Sequence, residues 1–205
     1  MTCRKVTPKP APDAEAGYYA ASCANSEPVA MGLVGAAMGS STGKYLGYQY
    51  ASRGGLGSAS QQVGGATVAA LAVCNAFGDI FDLNGQVVAG ATKRVEHLAN
   101  VLLNNEVDAT NNSVYGASGV AGTNTTLVVV ATDALLTKTQ AHALSQSAHI
   151  GIARVTRPSH TIYDGDTTFV LSTAESPEVS LLALSVAVQE VVAEAILKGV
   201  REGNA

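Results

Sequence analysis

The sequence predicts a single α/β domain spanning residues 1–205. Apolar stretches of strand length alternate with segments in which apolar residues recur at helical spacing, and this alternation indicates a mixed fold. A chain of 205 residues with 47% hydrophobic and 14% charged side chains can bury a sizeable core. Because only 5% of the residues are aromatic, small aliphatic side chains must fill that core, which suits closely stacked sheets and helices.

Four stretches are predicted as strands. Residues 29–39 and 67–77 are apolar, and the second is long enough to be covered on both faces of a sheet. Residues 127–132 are rich in β-branched side chains, and residues 167–172 form a short fourth strand. Residues 1–28 show neither pattern and are expected to be irregular or partly helical.

Two helices are predicted between these strands. Residues 94–103 carry apolar side chains at the spacing of one helix face. Thr137 and Gln140 have the form of a capping box, which predicts a helix that runs to about Ala153.

A third helix is predicted near the C-terminus, because Ser176, Pro177 and Glu178 offer a cap, a proline at the first helical position and an acid in the first turn. It should run to about Gly199. Apolar residues cover most of its circumference, so it should pack against a sheet and also against a partner subunit. The sequence therefore predicts a homo-oligomer.

Composition excludes several classes of partner. The formal net charge is −4 and the sequence pI is about 5.5, whereas a nucleic-acid surface needs a basic face. The sequence contains no run of eighteen apolar residues, so a membrane-spanning helix is not expected. The first residues lack the apolar core of a signal peptide, and a cytoplasmic protein is therefore expected. The histidines offer no third ligand at metal-binding spacing, so neither a metal nor another cofactor is expected.

The segment Asn124-Thr125-Thr126 lies between a loop of small residues at 117–123 and an apolar run. A threonine hydroxyl inside a chain is a poor nucleophile, but at a new N-terminus its own α-amine can act as its base. The small residues supply the permissive backbone that a bent scissile bond would need. The pattern therefore predicts self-cleavage between Asn124 and Thr125, although such a tripeptide is also typical of an ordinary turn.

Four other segments accompany this tripeptide in a fixed order along the chain, and they lie at residues 12–18, 43–60, 73–79 and 157–167. Together the five segments resemble the DmpA-like self-processing aminopeptidases, which include β-peptidyl aminopeptidases and nylon-oligomer hydrolases. The resemblance implies a layered α-β-β-α sandwich of the ornithine-acetyltransferase type, a cut before Ser or Thr, and a multimeric amidase made from both pieces. Members of this family carry a longer opening segment, including a tyrosine of the active site, so the chain is expected to be a fragment, a product of a mis-started reading frame or an N-terminally shortened member.

The same resemblance implies a role for five residues. Thr125 corresponds to the nucleophile, Asn75 to an asparagine that stabilises the oxyanion, and Lys44 to a lysine that favours the deprotonated amine. Asp164 and Asp166 correspond to paired positions that bond the nucleophile and its amine. On local sequence alone, Asn75 and the two aspartates are also typical of turns, and Lys44 of a solvated surface.

The predicted function is that of an N-terminal-threonine amidohydrolase or aminopeptidase acting on short peptides, or on amides and esters of small amino acids. Two aspartates after an Asn-Thr cut are more similar to the nylon-oligomer-hydrolase branch of the family. One alternative is an acyltransferase of the ornithine-acetyltransferase type, in which an amine rather than water takes the acyl group from Thr125. A second alternative is an inactive, uncleaved binding or assembly subunit. His160 is expected to support the site at most indirectly.

Overall fold

A computed structural model of the uncut chain describes residues 13–92, 124–176 and 178–205. Its regular elements, in chain order, are α1 (Ala14–Ser22), β1 (Ser41–Thr42), β2 (Ser52–Arg53), β3 (Gly55–Val63), β4 (Ala66–Asn75), β5 (Asp79–Phe81), β6 (Val87–Ala89), β7 (Thr125–Ala134), α2 (Lys138–Val155), β8 (Thr156–Arg157), β9 (Thr167–Ser176) and α3 (Leu181–Gly203). Short 3₁₀ helices lie at Gly35–Ala37, Lys44–Leu46 and Tyr48–Tyr50.

The central sheet has four strands in the order β3-β4-β7-β9. β3 and β4 form an antiparallel hairpin, and β7 runs antiparallel to β4. β9 is parallel to β7, which requires a crossover connection, and α2 supplies it. Two smaller sheets, β1-β2 and β6-β5-β8, complete the strand pairing of the described residues.

The two faces of the central sheet differ in what covers them. One face packs against α2 and α3, and its side chains, including Val68, Val128 and Val130, are fully buried. On the opposite face Phe169 is 54% exposed and Leu171 is 60% exposed. Because side chains alternate between the two faces of a strand, every second residue of β7 lies on the face covered by the helices, and the others lie on the open face.

Glycines allow α3 to lie directly on the backbone of β3. A Cβ atom added to Gly57 would lie 2.0 Å from the carbonyl oxygen of Ala195, and one added to Gly199 would lie 2.6 Å from the nitrogen of Gly57. Neither distance leaves room for a methyl group. The helix-to-sheet contact that covers β3 therefore depends on these glycines.

We expect Gly57→Ala to lower the free energy of unfolding by about 2–3 kcal/mol, because an added methyl group in a tightly packed layer forces backbone to move. Urea denaturation followed by circular dichroism would measure the change. Gly17→Ala is the matched control, since a Cβ at Gly17 meets nothing within 4 Å. Equal stability of Gly57→Ala and wild type would contradict the packing described here.

Most predicted elements are confirmed, with two corrections. The strands predicted at 67–77, 127–132 and 167–172 correspond to β4, β7 and β9. The capping box is present, because Thr137 and Gln140 bond each other's backbone N–H groups at the start of α2. The helix predicted at 94–103 lies outside the described residues.

The prediction of a buried strand at 29–39 is wrong. Residues 35–37 form a 3₁₀ helix, and three glycines adopt φ angles that no strand uses: +87° at Gly32, +51° at Gly35 and +89° at Gly39. The predicted start of the last helix is also wrong. Ser176 ends β9, and α3 begins at Leu181, with Ser180 at the cap position but without a side-chain cap hydrogen bond.

The wide apolar surface of the last helix is largely used within the chain. Leu184, Val188 and Val192 are fully buried in the core, whereas Leu182 is 76% exposed and Val186 is 52% exposed. No helix of the described residues is long and apolar enough to cross a membrane.

Candidate active site

Three strands of the central sheet bring candidate residues to one end of that sheet. Asn75 is the last residue of β4 and pairs directly with Thr125, the first residue of β7. Asn124 forms a parallel bridge with Asp164, just before β9 begins. Residues far apart in sequence therefore meet because β4 ends where β7 and β9 start.

The alternation of β7 gives Thr125 and Thr126 different surroundings. Thr126 is fully buried on the helix-covered face, where it pairs with the buried Cys74. Thr125 lies on the open face beside Asn75 and is only partly buried. A shift of one residue along the strand would exchange these positions, so the register alone makes the Thr125 hydroxyl accessible.

The 3₁₀ helix that carries Lys44 is anchored on both sides. Gly43 adopts a left-handed φ of +70°, and its N–H donates to the carbonyl oxygen of Gly78 over 2.9 Å. The Tyr45 hydroxyl donates to Asp79 Oδ2 over 2.7 Å. A Cβ at Gly43 would lie 2.1 Å from the nitrogen of Ala91, so glycine meets both the conformational and the steric requirement.

Lys44 is 1% exposed, and its ammonium group is directed at Asn75. Lys44 Nζ donates to the Asn75 backbone oxygen over 2.9 Å and to Asn75 Oδ1 over 2.8 Å. Burial lowers the pKa of Lys44 from 10.5 to about 8, because removal of water penalises the charged form. The alternative of a solvated surface lysine is therefore wrong.

The side chain of Asn75 is held in one orientation. Its Oδ1 atom accepts from Lys44 Nζ and also from the backbone N–H of Ser41 over 3.1 Å. With Oδ1 occupied in this way, Nδ2 is the donor end of the amide. An oriented donor beside Thr125 is what oxyanion stabilisation requires.

Asp164 and Asp166 anchor the loop before β9 rather than the Thr125 hydroxyl. Asp164 Oδ1 accepts from the N–H of Phe77 over 3.1 Å, and its Oδ2 accepts from the Thr161 hydroxyl over 2.6 Å. Asp166 Oδ1 accepts from the N–H of Thr126 over 2.7 Å. In the uncut chain both carboxylates therefore bind backbone N–H groups, and Asp166 binds that of the residue directly after Thr125.

His160 extends this network outward. Its Nδ1 atom lies 2.8 Å from Asp166 Oδ2, and its ring packs edge-on against His149 with centroids 4.9 Å apart. Burial lowers the pKa of His149, and the neighbouring His160 acts in the same direction. Among the described residues, His160 therefore contacts the candidate residues through Asp166.

The bond between Asn124 and Thr125 is surrounded by hydrogen-bonding groups. The Thr125 hydroxyl donates to the carbonyl oxygen of Asn124, and the Asn124 amide donates to the carbonyl oxygen of Tyr163 over 3.2 Å. Asn124 is fully buried, and its Oδ1 atom has no hydrogen-bond partner among the described residues. An unpaired buried oxygen destabilises a structure by about 1–3 kcal/mol.

An open cavity of about 240 Å³ lies beside Thr125. None of the described residues that line it is charged; they are Ala36, Met38, Gly39, Ser40, Val73, Asn75, Thr125 and Leu127. Its volume lies just below the range of typical ligand pockets, about 300–1,000 Å³. The cavity can therefore hold a small uncharged group within reach of the Thr125 hydroxyl.

Burial makes the Cys74 thiol unreactive at this site. Its thiol is fully buried, and loss of hydration raises its pKa to about 12. A protonated thiol is a weak nucleophile, so Cys74 does not compete with Thr125. In the described part of the chain no cluster of three or more His, Cys, Asp or Glu side chains could hold a metal ion.

All five residues singled out from the sequence meet at this site, although their catalytic roles remain predictions. Sequence reasoning missed Thr161, which orients Asp164, and the backbone of Gly165, whose N–H donates to the carbonyl oxygen of Asn124. The Asp-Gly-Asp pattern carried a signal for the glycine, because two acidic residues around a glycine suggest a fixed turn.

Comparison with known proteins agrees with this arrangement. The profile of Peptidase family S58 matches residues 4–205. An uncharacterised aminopeptidase of Mycobacterium tuberculosis is 34% identical over 214 residues, which cover 92% of this chain and 57% of that protein. A similar aminopeptidase of Mycobacterium leprae is 32% identical, over 92% of this chain and 56% of its own length. The chain therefore spans a little over half the length of these relatives.

Solved structures share the fold. A β-aminopeptidase from Burkholderia sp. superposes with a TM-score of 0.56 and 26% identity over 89% of this chain and 49% of its own. The L-aminopeptidase D-Ala-esterase/amidase of Ochrobactrum anthropi, described as a variant of the Ntn-hydrolase fold, gives a TM-score of 0.56 and 23% identity over 85% of this chain and 46% of its own. These matches confirm the predicted layered α/β fold. Since the S58 profile extends over nearly every residue, this chain belongs to Peptidase family S58.

Proposed function

We propose that this chain is the precursor of an N-terminal-threonine aminopeptidase that hydrolyses short peptides, or amides and esters of small amino acids. It would mature by cutting itself between Asn124 and Thr125 into residues 1–124 and 125–205. The observation that carries the proposal is the hydrogen bond from the Thr125 hydroxyl to the carbonyl oxygen of Asn124. The nucleophile thus already contacts the peptide group that it would attack.

The proposed cut proceeds in two balanced steps. Thr125 Oγ1 forms a bond to the carbonyl carbon of Asn124, the bond from that carbon to the Thr125 nitrogen breaks, and the hydroxyl proton ends on this nitrogen. The product is an ester between Asn124 and Thr125 with a new α-amine. Water then hydrolyses the ester, leaving a carboxylate on Asn124 and restoring the Thr125 hydroxyl.

Turnover would use the same oxygen. The α-amine, with an ordinary pKa of about 7.7–8.0, takes the hydroxyl proton as Thr125 attacks the substrate amide. Asn75 Nδ2 is oriented to donate to the oxyanion, and Lys44 holds Asn75 in that orientation. The positive charge of Lys44 favours the neutral, basic form of the nearby amine.

The cavity beside Thr125 supports a small substrate. Its volume is about 240 Å³ and the described residues that line it are neutral, so a charged side chain of the substrate would lose hydration there without gaining a charged partner among them. Small uncharged acyl groups fit it best. We therefore expect amides of small neutral amino acids to be better substrates than those of lysine or glutamate.

Intact-mass analysis of the purified wild-type chain tests the proposal. We expect two species, corresponding to residues 1–124 and 125–205. The new N-terminus should be Thr125 when the smaller piece is sequenced. A single uncut polypeptide in both fresh and aged protein would refute self-processing.

We also predict that the protein associates with copies of itself. Leu182 and Val186 on α3 remain exposed, as do Phe169 and Leu171 on the open face of the sheet. Exposed apolar surface of this kind favours association. Light scattering at micromolar concentration should give a mass above one protomer, and a clean monomer would contradict the prediction.

A further inference from the structure

The backbone N–H of Gly165 points at the oxygen of the bond that would be cut. It donates to the carbonyl oxygen of Asn124 over 2.7 Å. The same oxygen accepts the hydrogen bond of the Thr125 hydroxyl. When Thr125 attacks, negative charge develops on this oxygen, and Gly165 is then the donor that remains directed at it.

The residues on either side hold this N–H in place. Asp164 is tied to the N–H of Phe77 and to the Thr161 hydroxyl, and Asp166 is tied to the N–H of Thr126. The tripeptide Asp164-Gly165-Asp166 is therefore fixed at both ends, with its central N–H directed at Asn124. A donor that needs no rearrangement during the reaction is worth most to a transition state.

Space requires a glycine at this position. A Cβ added to Gly165 would lie 2.8 Å from Thr125 Oγ1 and 3.7 Å from the carbonyl oxygen of Asn124. The φ angle of Gly165 is outside the left-handed region, so an L-residue could adopt this backbone. The close approach to the nucleophile, not backbone conformation, therefore accounts for the glycine.

We infer that the Gly165 N–H is the oxyanion donor for the self-cleavage of this chain, and that Asp164 and Asp166 are the residues that position it. The inference rests on the proposed cut between Asn124 and Thr125 and adds a catalytic group to it. In the addition step the electron pair of the Asn124 C=O π bond moves onto oxygen, and the Gly165 N–H donates a hydrogen bond to the resulting oxyanion. The pair returns to the C=O bond when the bond to the Thr125 nitrogen breaks.

Replacement of this single N–H by oxygen tests the inference. A semisynthetic chain with glycolic acid at position 165 has an ester in place of the amide and lacks only the donor. The chain is kept uncut in denaturant, and refolding starts the reaction. We expect cleavage to be at least 100-fold slower than in the all-amide chain, the scale of one lost oxyanion donor, about 10²–10³.

The matched control carries the same ester at Gly85, whose N–H donates to the carbonyl oxygen of Asp82 in a turn away from the site. This chain loses an equivalent hydrogen bond and should cut within threefold of the all-amide rate. Circular dichroism after refolding shows whether each ester chain has folded. If the position-165 ester chain folds and cuts within threefold of the all-amide chain, the role of Gly165 is overturned.

If the ester chain does not fold, Gly165→Ala provides an independent test of the placement of Gly165. It keeps the N–H but places a methyl group against Thr125 Oγ1, so we expect cleavage to slow at least tenfold, while Gly17→Ala leaves it unchanged. Cleavage of Gly165→Ala at the wild-type rate would show that the Gly165 backbone does not lie against Thr125 Oγ1, and the inference, which requires that close approach, would be overturned. An all-amide wild-type chain that folds but never cuts would overturn the proposed self-processing as well, which separates the two failures.

Discussion

Thr125→Ala is expected to remain one polypeptide of 205 residues under conditions in which the wild-type chain becomes two. Among the described residues, the Thr125 hydroxyl is the only potential nucleophile that contacts the Asn124 carbonyl, and the substitution removes it. It also removes the nucleophile proposed for turnover, so no hydrolysis of an amino-acid p-nitroanilide should be detectable. Intact-mass analysis and absorbance at the p-nitroaniline maximum measure the two losses.

Two neighbouring variants make this result specific. Thr125→Ser keeps the hydroxyl and should still cut. Thr126→Ala removes the next hydroxyl along the chain, which lies on the buried, helix-covered face, and should also cut. If Thr125→Ala is processed at the same position as wild type, another group breaks the bond and the proposed mechanism fails.

Lys44→Met and Asp166→Asn are expected to lower turnover of the processed protein by at least 100-fold each. Lys44 supplies a buried positive charge and holds Asn75, and Asp166 holds the N–H of Thr126 next to the nucleophile. The expected loss is roughly that of one acid–base or electrostatic contribution. Only chains that have already been cut are compared, because a processing defect would otherwise be read as a turnover defect.

The chain offers a matched control for each variant. Lys198→Met removes a partly exposed lysine paired with Glu194, far from Thr125 in the sequence. Asp133→Asn changes a carboxylate that accepts a backbone N–H, that of Thr67, near the other end of β7. Both controls should stay close to wild type. If Lys44→Met and Asp166→Asn both turn over substrate within about threefold of the wild-type rate, a change of only ~0.65 kcal/mol in the activation free energy, the two residues have structural roles only.

The pH profile of turnover adds a readout for Lys44. Its pKa of about 8 means that the ammonium is charged below that pH and loses its proton above it. If the charge keeps the Thr125 amine basic, the advantage of wild type over Lys44→Met should shrink as the pH rises through about 8. A constant ratio would indicate that Lys44 acts only by packing.

The amino-acid sequence was sufficient to predict the elements whose signals are local. The capping box of Thr137 and Gln140, the apolar runs of β4 and β7 and the order of five motifs were enough to predict the main strands, α2 and the family. The signals for α2 and the strands are short-range, because hydrogen-bonding caps and hydrophobic periodicity depend on residues a few positions apart. Residues 29–39 show the limit, since their glycines have φ angles that composition does not reveal.

The contacts among the candidate residues could be learned only from the folded chain. The burial of Lys44, which lowers its pKa to about 8, arises from packing that surrounds it with distant segments. The contact of the Gly165 N–H with the Asn124 carbonyl arises from a parallel pairing of chain segments 40 residues apart, which no local pattern encodes. Register and burial depend on every layer of the fold at once, and they determine which of two adjacent threonines faces the solvent-accessible cavity.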